Sequence, residues 1–325
     1  MNLVAPQVAE FNEKVRIELH APLRIGVHLH HPTLDTLGIE LRIPRRIERI
    51  REIDPAAVTA QMVRNFVRGG AAINVLCRQV GIETAIIDMG VNGEPEAGAR
   101  NCRVAPGTRN WLHEPAMTRE QAIQSVEAGI VLATEAALTA DVLGVGEMGI
   151  GNTTTAAALF SAFSGIDPSL TVGRGTGITG DVLSRKAEVV RQALRLHQPD
   201  SNDPIGALAA VGGFDIGGIC GFLLGAAVRR VPVMMDGFIT CAAALVAIAL
   251  SPGVRDYLFF SHLSAENGHA RMLDFLGAEP LLSLGMRLGE GTGAALGISL
   301  IESSVRIYSE MATFSEASVS NIKPE

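Results

Sequence analysis

Two spacings of apolar residues alternate along the first half of this chain, one typical of amphipathic helices and one typical of short buried strands. Between residues 59 and 78 the apolar positions follow helical spacing, and Gly69-Gly70 interrupts them. Residues 84–88 form a short apolar run that predicts a strand. Thr118-Arg119-Glu120-Gln121 is a capping box, which predicts a long helix that ends near Ala136.

The second half of the chain repeats the order strand, glycine turn and helix. Residues 142–145 predict a strand that leads into the glycine-rich stretch 146–154 and then a helix. Residues 186–196 predict another helix, while 207–211 and 231–235 predict short buried strands that are each followed by an alanine-rich helical run. This order predicts an α/β fold with a Rossmann-like, mostly parallel sheet flanked by helices.

The strand ends of such a sheet are where unusual residues cluster in this sequence. They are Asp88-Met89-Gly90, Gly146-Glu147-Met148, Gly212-Gly213-Phe214-Asp215 and Asp236-Gly237-Phe238. Ligands of parallel sheets bind beyond the carboxyl ends of the strands, and glycine allows the backbone to approach a ligand closely. We therefore expect a crevice at this edge.

The stretch Gly146-Glu147-Met148-Gly149-Ile150-Gly151-Asn152-Thr153-Thr154 fits two nucleotide-binding patterns incompletely. As a P-loop it has Asn152 where the phosphate-binding lysine should stand. As a dinucleotide fingerprint it lacks an acidic residue about 20 positions on, since Asp167 lies in a Gly-Ile-Asp-Pro turn. A glycine turn at a helix N-terminus still favours an anion, so we expect a single phosphate, as in a mononucleotide.

A second phosphate-binding candidate is Gly173-Arg174-Gly175-Thr176-Gly177, with Asp181 and Lys186 beyond it. Backbone N–H groups and a lysine can bind the same anion as the first loop. The alternative is an ordinary solvated glycine loop.

Composition and charge exclude several classes of function. The chain has 325 residues, 47% apolar and 19% charged, with a net charge of −7, which suits a large core and argues against a nucleic-acid or membrane-surface binder. Arg229, Arg230 and Asp236 divide the most apolar region into pieces too short to span a membrane. The four cysteines form no metal-binding spacing and are expected to be reduced and mostly buried.

No export signal is recognised near the N-terminus, so a cytoplasmic protein is expected. The histidines of His28-Leu29-His30-His31 lack a nearby cysteine or acidic cluster, and a solvated loop is favoured there over a metal site. The arginines between residues 42 and 51 alternate with Glu48 and Glu52 and predict a charged helix face.

Several motifs in a fixed order carry a family resemblance. They are Gly144-Val145-Gly146-Glu147-Met148-Gly149-Ile150-Gly151-Asn152-Thr153-Thr154, Gly173-Arg174-Gly175-Thr176-Gly177, Asp236-Gly237-Phe238, Ser264-Ala265-Glu266-Asn267-Gly268-His269, Leu288-Gly289-Glu290-Gly291-Thr292-Gly293 and Phe314-Ser315-Glu316-Ala317. Together, from about Val58 to about Val319, they closely resemble the nicotinate-nucleotide:dimethylbenzimidazole phosphoribosyltransferase family. Its members make α-ribazole phosphate for the lower ligand of cobalamin.

The resemblance implies a large domain, residues 58–300, that holds the parallel sheet. It also implies a smaller helical domain formed by residues 1–57 together with 301–325, and a homodimer. The expected partners are small molecules, nicotinate mononucleotide and an aromatic base. No cofactor and no metal are expected.

The implied reaction transfers the phosphoribosyl group of nicotinate mononucleotide to 5,6-dimethylbenzimidazole or a related base, which must lose a proton to a carboxylate. In the family this general base is the glutamate of the terminal Phe-x-Glu-Ala segment, which is Glu316 here. Without the resemblance, Glu316 would be an exposed residue near a fraying terminus.

The resemblance also assigns the substrate-binding residues. Glu147 is expected to contact the ribose or the incoming base, with a helix N-terminal charge as the alternative. Asp236 and Glu290 are candidates for ribose or nicotinate positioning, with structural roles equally open. Lys186 is a phosphate ligand or a plain helix-surface lysine. The remaining phosphate-binding candidates are Gly149, Gly151, Asn152, Thr153, Thr154, Gly173 and Gly175.

One segment departs from the family. Members usually carry an Asp-His-Gly segment that closes a strand ahead of the helix beginning near Thr59, and a Pro-Pro-Gly-Ser-Leu-Gly-like helix start before it. This chain has neither. Since the missing segment helps to form the base pocket, two hypotheses follow. The chain is an active transferase with an altered base pocket, or it is a non-catalytic or weakly active partner subunit of a heteromeric, phenol-type relative.

Overall fold

The computed structural model describes residues 24–30, 55–173 and 180–320, with only the backbone for 24–30 and 55–56. The predicted arginine-rich helix face lies outside these residues, as do Gly175 and His31.

Seven parallel strands form one sheet in the order β3-β2-β1-β4-β5-β6-β7. All six pairings are parallel, which confirms the predicted fold class. Because the order reverses between β1 and β4, a crevice is expected outside the carboxyl ends of these two strands. The strands are β1 (Arg24–His30), β2 (Glu83–Gly90), β3 (Arg100–Asn101), β4 (Leu143–Met148), β5 (Val233–Met235), β6 (Leu258–His262) and β7 (Pro280–Leu282).

Helices cover both faces of the sheet, each over its own apolar core. Helices α1, α2 and α11 cover one face, and the central helices α3, α4, α8 and α9 cover the other. The helices are α1 (Pro55–Val67), α2 (Ala72–Val80), α3 (Arg119–Ala136), α4 (Asn152–Ser164), α5 (Pro168–Thr171), α6 (Asp181–His197), α7 (Pro204–Val211), α8 (Phe214–Val228), α9 (Phe238–Leu250), α10 (His269–Phe275) and α11 (Thr292–Glu310).

Most of the predicted elements are confirmed. Helices α1 and α2 are separated at the predicted Gly69-Gly70 break, and Gly69 has a φ of +74°. Thr118 caps α3 through a hydrogen bond from Gln121 N to its hydroxyl, and the Gln121 side chain accepts from Thr118 N in return. Local side-chain chemistry set these boundaries, so the sequence predicted them well.

One predicted strand is wrong. Residues 207–211 belong to helix α7, and Gly212-Gly213 therefore links two helices and does not follow a strand. The helix begins because the Asp203 side chain accepts from Gly206 N at 3.1 Å and Pro204 occupies the first turn. A short, fully buried apolar run has no polar face, so its periodicity cannot distinguish a strand from a helix.

Helix α8, which lies in the most apolar part of the chain, packs tightly against α3. A Cβ on Gly129 of α3 would lie 2.0 Å from the Gly218 carbonyl oxygen, and one on Gly221 of α8 would lie 1.8 Å from the Val126 carbonyl oxygen. The helices meet at this distance because both surfaces lack side chains there. In the part of the chain that the structure describes, no helix has the length and hydropathy needed to cross a membrane.

Strand β1 occupies the centre of the sheet, between β2 and β4. The expected solvated loop at His28-Leu29-His30 is therefore wrong, since these residues pair with the ends of both neighbouring strands. A strand does precede α1 in the chain, although it ends in a different sequence from the family's Asp-His-Gly. The division into two domains stays a prediction, and residues 24–30 of the N-terminal segment lie in the sheet.

Candidate active site

The turn between β4 and α4 lies at the switch point of the sheet. Leu29 of β1 is in register with Met148, the last residue of β4, and α4 begins four residues later at Asn152. Gly151 caps this helix with a φ of +101°, a conformation that favours glycine. The first N–H groups of a helix have no partner within it, so this turn presents donors and partial positive charge to the crevice.

A buried lysine stands beside this helix N-terminus. Lys186 Nζ donates to Thr153 Oγ1 at 2.8 Å and to the Gly173 carbonyl oxygen at 3.2 Å. The side chain is 3% exposed, so the alternative of a plain helix-surface lysine is wrong. Burial lowers the pKa of Lys186 to about 8, and the negative charge of Glu266 opposes that change. Thr153 of the first glycine loop and Gly173, the first residue of the second, therefore contact the same cation.

Gly173 lies directly against a glutamate side chain. A Cβ on Gly173 would be 1.8 Å from Glu266 Oε2, so a larger residue would have to displace the Glu266 carboxyl group. Glu266 is buried, and its backbone N–H donates to Ser264 Oγ at 3.3 Å. Gly173 is thus packed against a carboxylate that also supports the charge of Lys186.

The Asn152 side chain joins two buried carboxyl groups. Its Nδ2 donates to Glu147 Oε2 and, at 2.9 Å, to Asp215 Oδ2. Burial is the main cause that raises the pKa of Glu147 to about 8 and that of Asp215 to about 6. The negative charges of Asp215, Asp236 and Glu290 also raise the pKa of Glu147. Asn152 and Thr153 are neighbours in the first turn of α4. Asn152 thus contacts acidic side chains, and Thr153 contacts a basic one.

Asp236 fixes the N-terminus of α11. Its carboxylate accepts from the backbone N–H groups of Gly291 at 3.1 Å, Gly293 at 2.7 Å and Ala294 at 3.3 Å. Burial raises the pKa of Asp236, although His262 and these three donors oppose the rise. Three donors from one helix end give Asp236 a structural role in this conformation.

Glu290 is held in an unusual backbone conformation next to Asp236. It has a φ of +65°, and its N–H donates to the Glu147 carbonyl oxygen at 3.1 Å. Burial raises its pKa, while backbone N–H groups of Ile73 and Ala72 at the start of α2 oppose that rise. Its Oε2 is buried without a hydrogen-bond partner among the described residues. Such strain and an unpaired oxygen are typical of functional positions.

A hydrogen-bonded network underlies this edge of the sheet. His269 Nδ1 accepts from Ser264 N at 2.9 Å, so its proton is on Nε2, which lies 3.3 Å from Cys241 Sγ. Burial lowers the pKa of His269 to about 3, and the ring is therefore neutral. Ser261 Oγ donates to the Asp236 carbonyl oxygen at 2.8 Å. The network connects the ends of β5 and β6 to α10.

The close packing of Gly146 against the α11 turn gives a testable prediction. A Cβ at Gly146 would lie 2.3 Å from Gly291 N. Gly146→Ala should therefore push the α11 turn away from β4, with a loss of about 1–3 kcal/mol in the free energy of unfolding measured by urea denaturation. Gly253→Ala is the control, because a Cβ there meets no atom within 4 Å. Equal stability of the two variants would contradict the contact.

The structure brings together most of the residues that the sequence singled out. Glu147, Asn152, Thr153, Gly173, Lys186, Asp236 and Glu290 lie around the β4–α4 turn, along with Gly149, Gly151 and the buried Thr154. Asp215 and Glu266 join them, although the sequence did not assign them to the site. Both lie in segments that were noted, Gly212–Asp215 and the Ser264–His269 motif, but nothing in the sequence showed which side chains they would meet.

Glu316 is in a different place. It is exposed, and its carboxylate accepts from Thr313 N at 2.7 Å and from the Thr313 hydroxyl at 2.8 Å. Helix α11 has 19 residues and its N-terminus is held by Asp236, so the helix alone extends about 28 Å from the site before this segment starts. Within its own chain Glu316 therefore does not join the other candidates.

The cysteines agree with the prediction of reduced thiols. All four are free; Cys77, Cys220 and Cys241 are buried and Cys102 is half-buried. Within residues 55–173 and 180–320 no cluster of three or more His, Cys, Asp or Glu side chains is arranged to hold a metal ion.

Residues 50–319 match a family model described as Phosphoribosyltransferase. The chain belongs to this family. It is 54% identical over 268 residues to nicotinate-nucleotide--dimethylbenzimidazole phosphoribosyltransferase of Geobacter sulfurreducens, covering 82% of this chain and 76% of the relative. The protein of the same name from Desulforamulus reducens is 51% identical over 269 residues, covering 82% and 77%.

Solved structures of the phosphoribosyltransferase family agree with the fold. The crystal structure of CobT from Thermus thermophilus aligns with a TM-score of 0.84 at 39% identity, covering 98% of this chain and 92% of that one. Every site residue described above lies within the matched residues 50–319. Strand β1 lies before them.

Proposed function

We propose that this enzyme transfers the phosphoribosyl group of nicotinate mononucleotide to 5,6-dimethylbenzimidazole or a related aromatic base. The products are α-ribazole 5′-phosphate and nicotinate, in the nucleotide-loop branch of cobalamin biosynthesis. The names of the relatives at about half identity support this activity over a non-catalytic partner subunit.

One observation carries the proposal: two neighbouring residues of α4 are hydrogen bonded to side chains of opposite type, one basic and the other acidic. Thr153 is hydrogen bonded to Lys186, and Asn152 is hydrogen bonded to Glu147 and Asp215. The donor has a phosphate at one end and a positively charged pyridinium ring at the other. The basic group and the helix N-terminus suit the phosphate. The acidic group suits the ribose hydroxyls and the cationic ring.

The chemistry needs little from the protein beyond positioning and a proton acceptor. The pyridinium is a good leaving group, so C1′ of the ribose is already electrophilic. One ring nitrogen of the base attacks from the opposite face and inverts β to α. As positive charge moves onto the base, its other ring N–H becomes acidic and a carboxylate removes that proton. Glu316 is the proposed acceptor.

Helix α11 separates Glu316 from the active site of its own chain. Glu316 can therefore act only in the active site of a second copy, or if its segment folds back to its own. We propose that a second copy of the chain supplies it, in a homodimer. The exposed apolar side chains near it support an interface there: Tyr308 is 74% exposed, Met311 70% and Phe314 60%. The four free cysteines support a reducing, cytoplasmic location.

The activity is tested by incubating the purified chain with nicotinate mononucleotide and a panel of benzimidazoles, purines and phenols, and measuring nicotinate by chromatography. Release that depends on the base is expected. Titration calorimetry with nicotinate mononucleotide alone separates the hypotheses, because a degenerate partner subunit should not bind it. A folded chain that binds the donor but turns over with no base would overturn the proposed reaction.

Replacing Glu316 tests its role. Glu316→Gln should reduce kcat by at least ~100-fold, since no carboxylate then accepts the proton of the aromatic base. The calorimetric Kd for nicotinate mononucleotide should stay unchanged. Mixing this variant with Lys186→Met subunits should restore activity, because a mixed dimer has one site with both Glu316 and Lys186 intact. Absence of any restoration, with mixed dimers present by native mass spectrometry, would place Glu316 in its own chain's site.

A further inference from the structure

The Asn152 amide group has no donor left for a phosphate. A primary amide nitrogen carries two hydrogens. Glu147 and Asp215 each accept one of them, and Asn152 itself is only 2% exposed. In the P-loop pattern this position binds phosphate through its side chain. Here the side chain connects two carboxyl groups.

Asp215 is in a position to hold this amide group firmly. It is fully buried in the first turn of α8, and α8 packs against both α3 and α9. Its Oδ2 accepts from Asn152, while its Oδ1 has no hydrogen-bond partner among the described residues. A buried carboxyl group is costly to desolvate and therefore needs a partner such as Asn152, and the backbone N–H groups of Asp215 and Ile216 also lower its pKa.

We infer that Asp215 is a positioning residue for phosphoribosyl transfer, which acts on Glu147 through the Asn152 amide. The inference rests on the proposed function. Thr153 and Lys186 fix the phosphate end of the donor, and Asn152 is the adjacent residue of the same helix turn. The Asp215–Asn152–Glu147 chain therefore sets where the Glu147 carboxyl lies relative to the bound phosphate, and with it the orientation of the ribose.

The kinetic test uses four variants and one control. Asp215→Ala should lower kcat about 10- to 100-fold and leave the donor Kd within about threefold, because the phosphate contacts are intact. Asp215→Asn keeps an acceptor oxygen and should lose only about threefold in kcat. In Asn152→Ala the hydrogen bonds between Asp215 and Glu147 through the amide are already broken, so adding Asp215→Ala should cause no further loss of kcat. Asp203→Ala, which removes a helix cap away from the site, is the structural control.

A second measurement does not depend on turnover. In protein labelled with ¹⁵N-asparagine, the Asn152 side-chain amide signal is identified by its loss in Asn152→Ala. One of its two proton resonances should move upfield in Asp215→Ala and return toward its original position in Asp215→Asn.

The outcomes separate this inference from the proposed function. If the wild-type chain has no transferase activity, the proposed function fails, and the amide resonances still decide whether Asp215 holds Asn152. Equal loss of kcat in the Ala and Asn variants, additive losses in the double variant, or an unchanged amide signal would each overturn the positioning role. Near-UV circular dichroism establishes whether each variant is folded. If Asp215→Ala is unfolded, the test is made with Asp215→Asn alone.

Discussion

Replacing Lys186 by methionine is expected to weaken nicotinate mononucleotide binding about 100-fold. Lys186 is the buried cation at the junction of the two glycine loops, with Thr153 and Gly173 as its hydrogen-bond partners. A hydrogen bond to a charged group contributes about 1.5–3 kcal/mol, and each 1.4 kcal/mol is a factor of about ten in Kd. Methionine keeps the volume of the side chain but removes the charge. Titration calorimetry measures the change directly.

The control for Lys186→Met is Arg185→Ala, on the same helix. Arg185 is exposed, so its loss changes the net charge equally without touching the site. The donor Kd of this variant should remain within about twofold of wild type. If both variants bind the donor equally well, the phosphate does not bind at the β4–α4 turn.

Replacing Glu147 by glutamine is expected to stabilise the protein at high pH while reducing its activity. The pKa of Glu147 is raised to about 8 in the fold, mainly by burial. A carboxyl group with a raised pKa contributes stability that is fully present below its ordinary pKa and is lost as pH rises through the folded value. Between about pH 5 and pH 9, the free energy of unfolding of the wild type should therefore fall by on the order of 3 kcal/mol relative to that of the variant.

Urea denaturation of both proteins at pH 5, 7 and 9 measures this difference. Asp215, Asp236 and Glu290 are present in both, so the difference between the two curves reports the ionisation of Glu147 and its coupling to these groups. The same variant should lose at least about tenfold in kcat/KM, because glutamine replaces one carboxyl oxygen by an NH2 group that cannot accept a hydrogen bond from ribose. Glu127→Gln, an exposed position on α3, controls for the loss of a carboxylate. A stability difference that does not grow with pH would contradict a buried, protonated Glu147.

The local elements followed from the sequence because short-range chemistry decides them. The capping box at Thr118, the Gly69-Gly70 break and the strand, glycine turn and helix around residues 142–160 each depend on residues within a few positions of one another. The order of these elements was enough to predict a parallel sheet and a ligand crevice at its carboxyl edge. The family resemblance was confirmed over residues 50–319.

The helix at 207–211 and the strand at 24–30 show where such patterns stop being informative. A buried apolar run is compatible with either element, and here the Asp203 cap, Pro204 and the packing against α3 and α4 together decide for a helix. Residues 24–30 have alternating polar and apolar positions, but their place between β2 and β4 depends on residues more than 50 positions away. Non-local pairing of this kind has no local signal.

The sequence by itself determined that a glycine turn leads into a helix N-terminus at residues 146–154, a local arrangement that suits an anion. Only the tertiary structure decided what surrounds it. Folding buries Lys186 beside Thr153 and brings Asp215 to Asn152 across 63 positions of chain. It also leaves Glu316 at the far end of α11. Charges and hydrogen-bond partners at a site depend on which distant side chains are desolvated together, and a linear pattern does not contain that information.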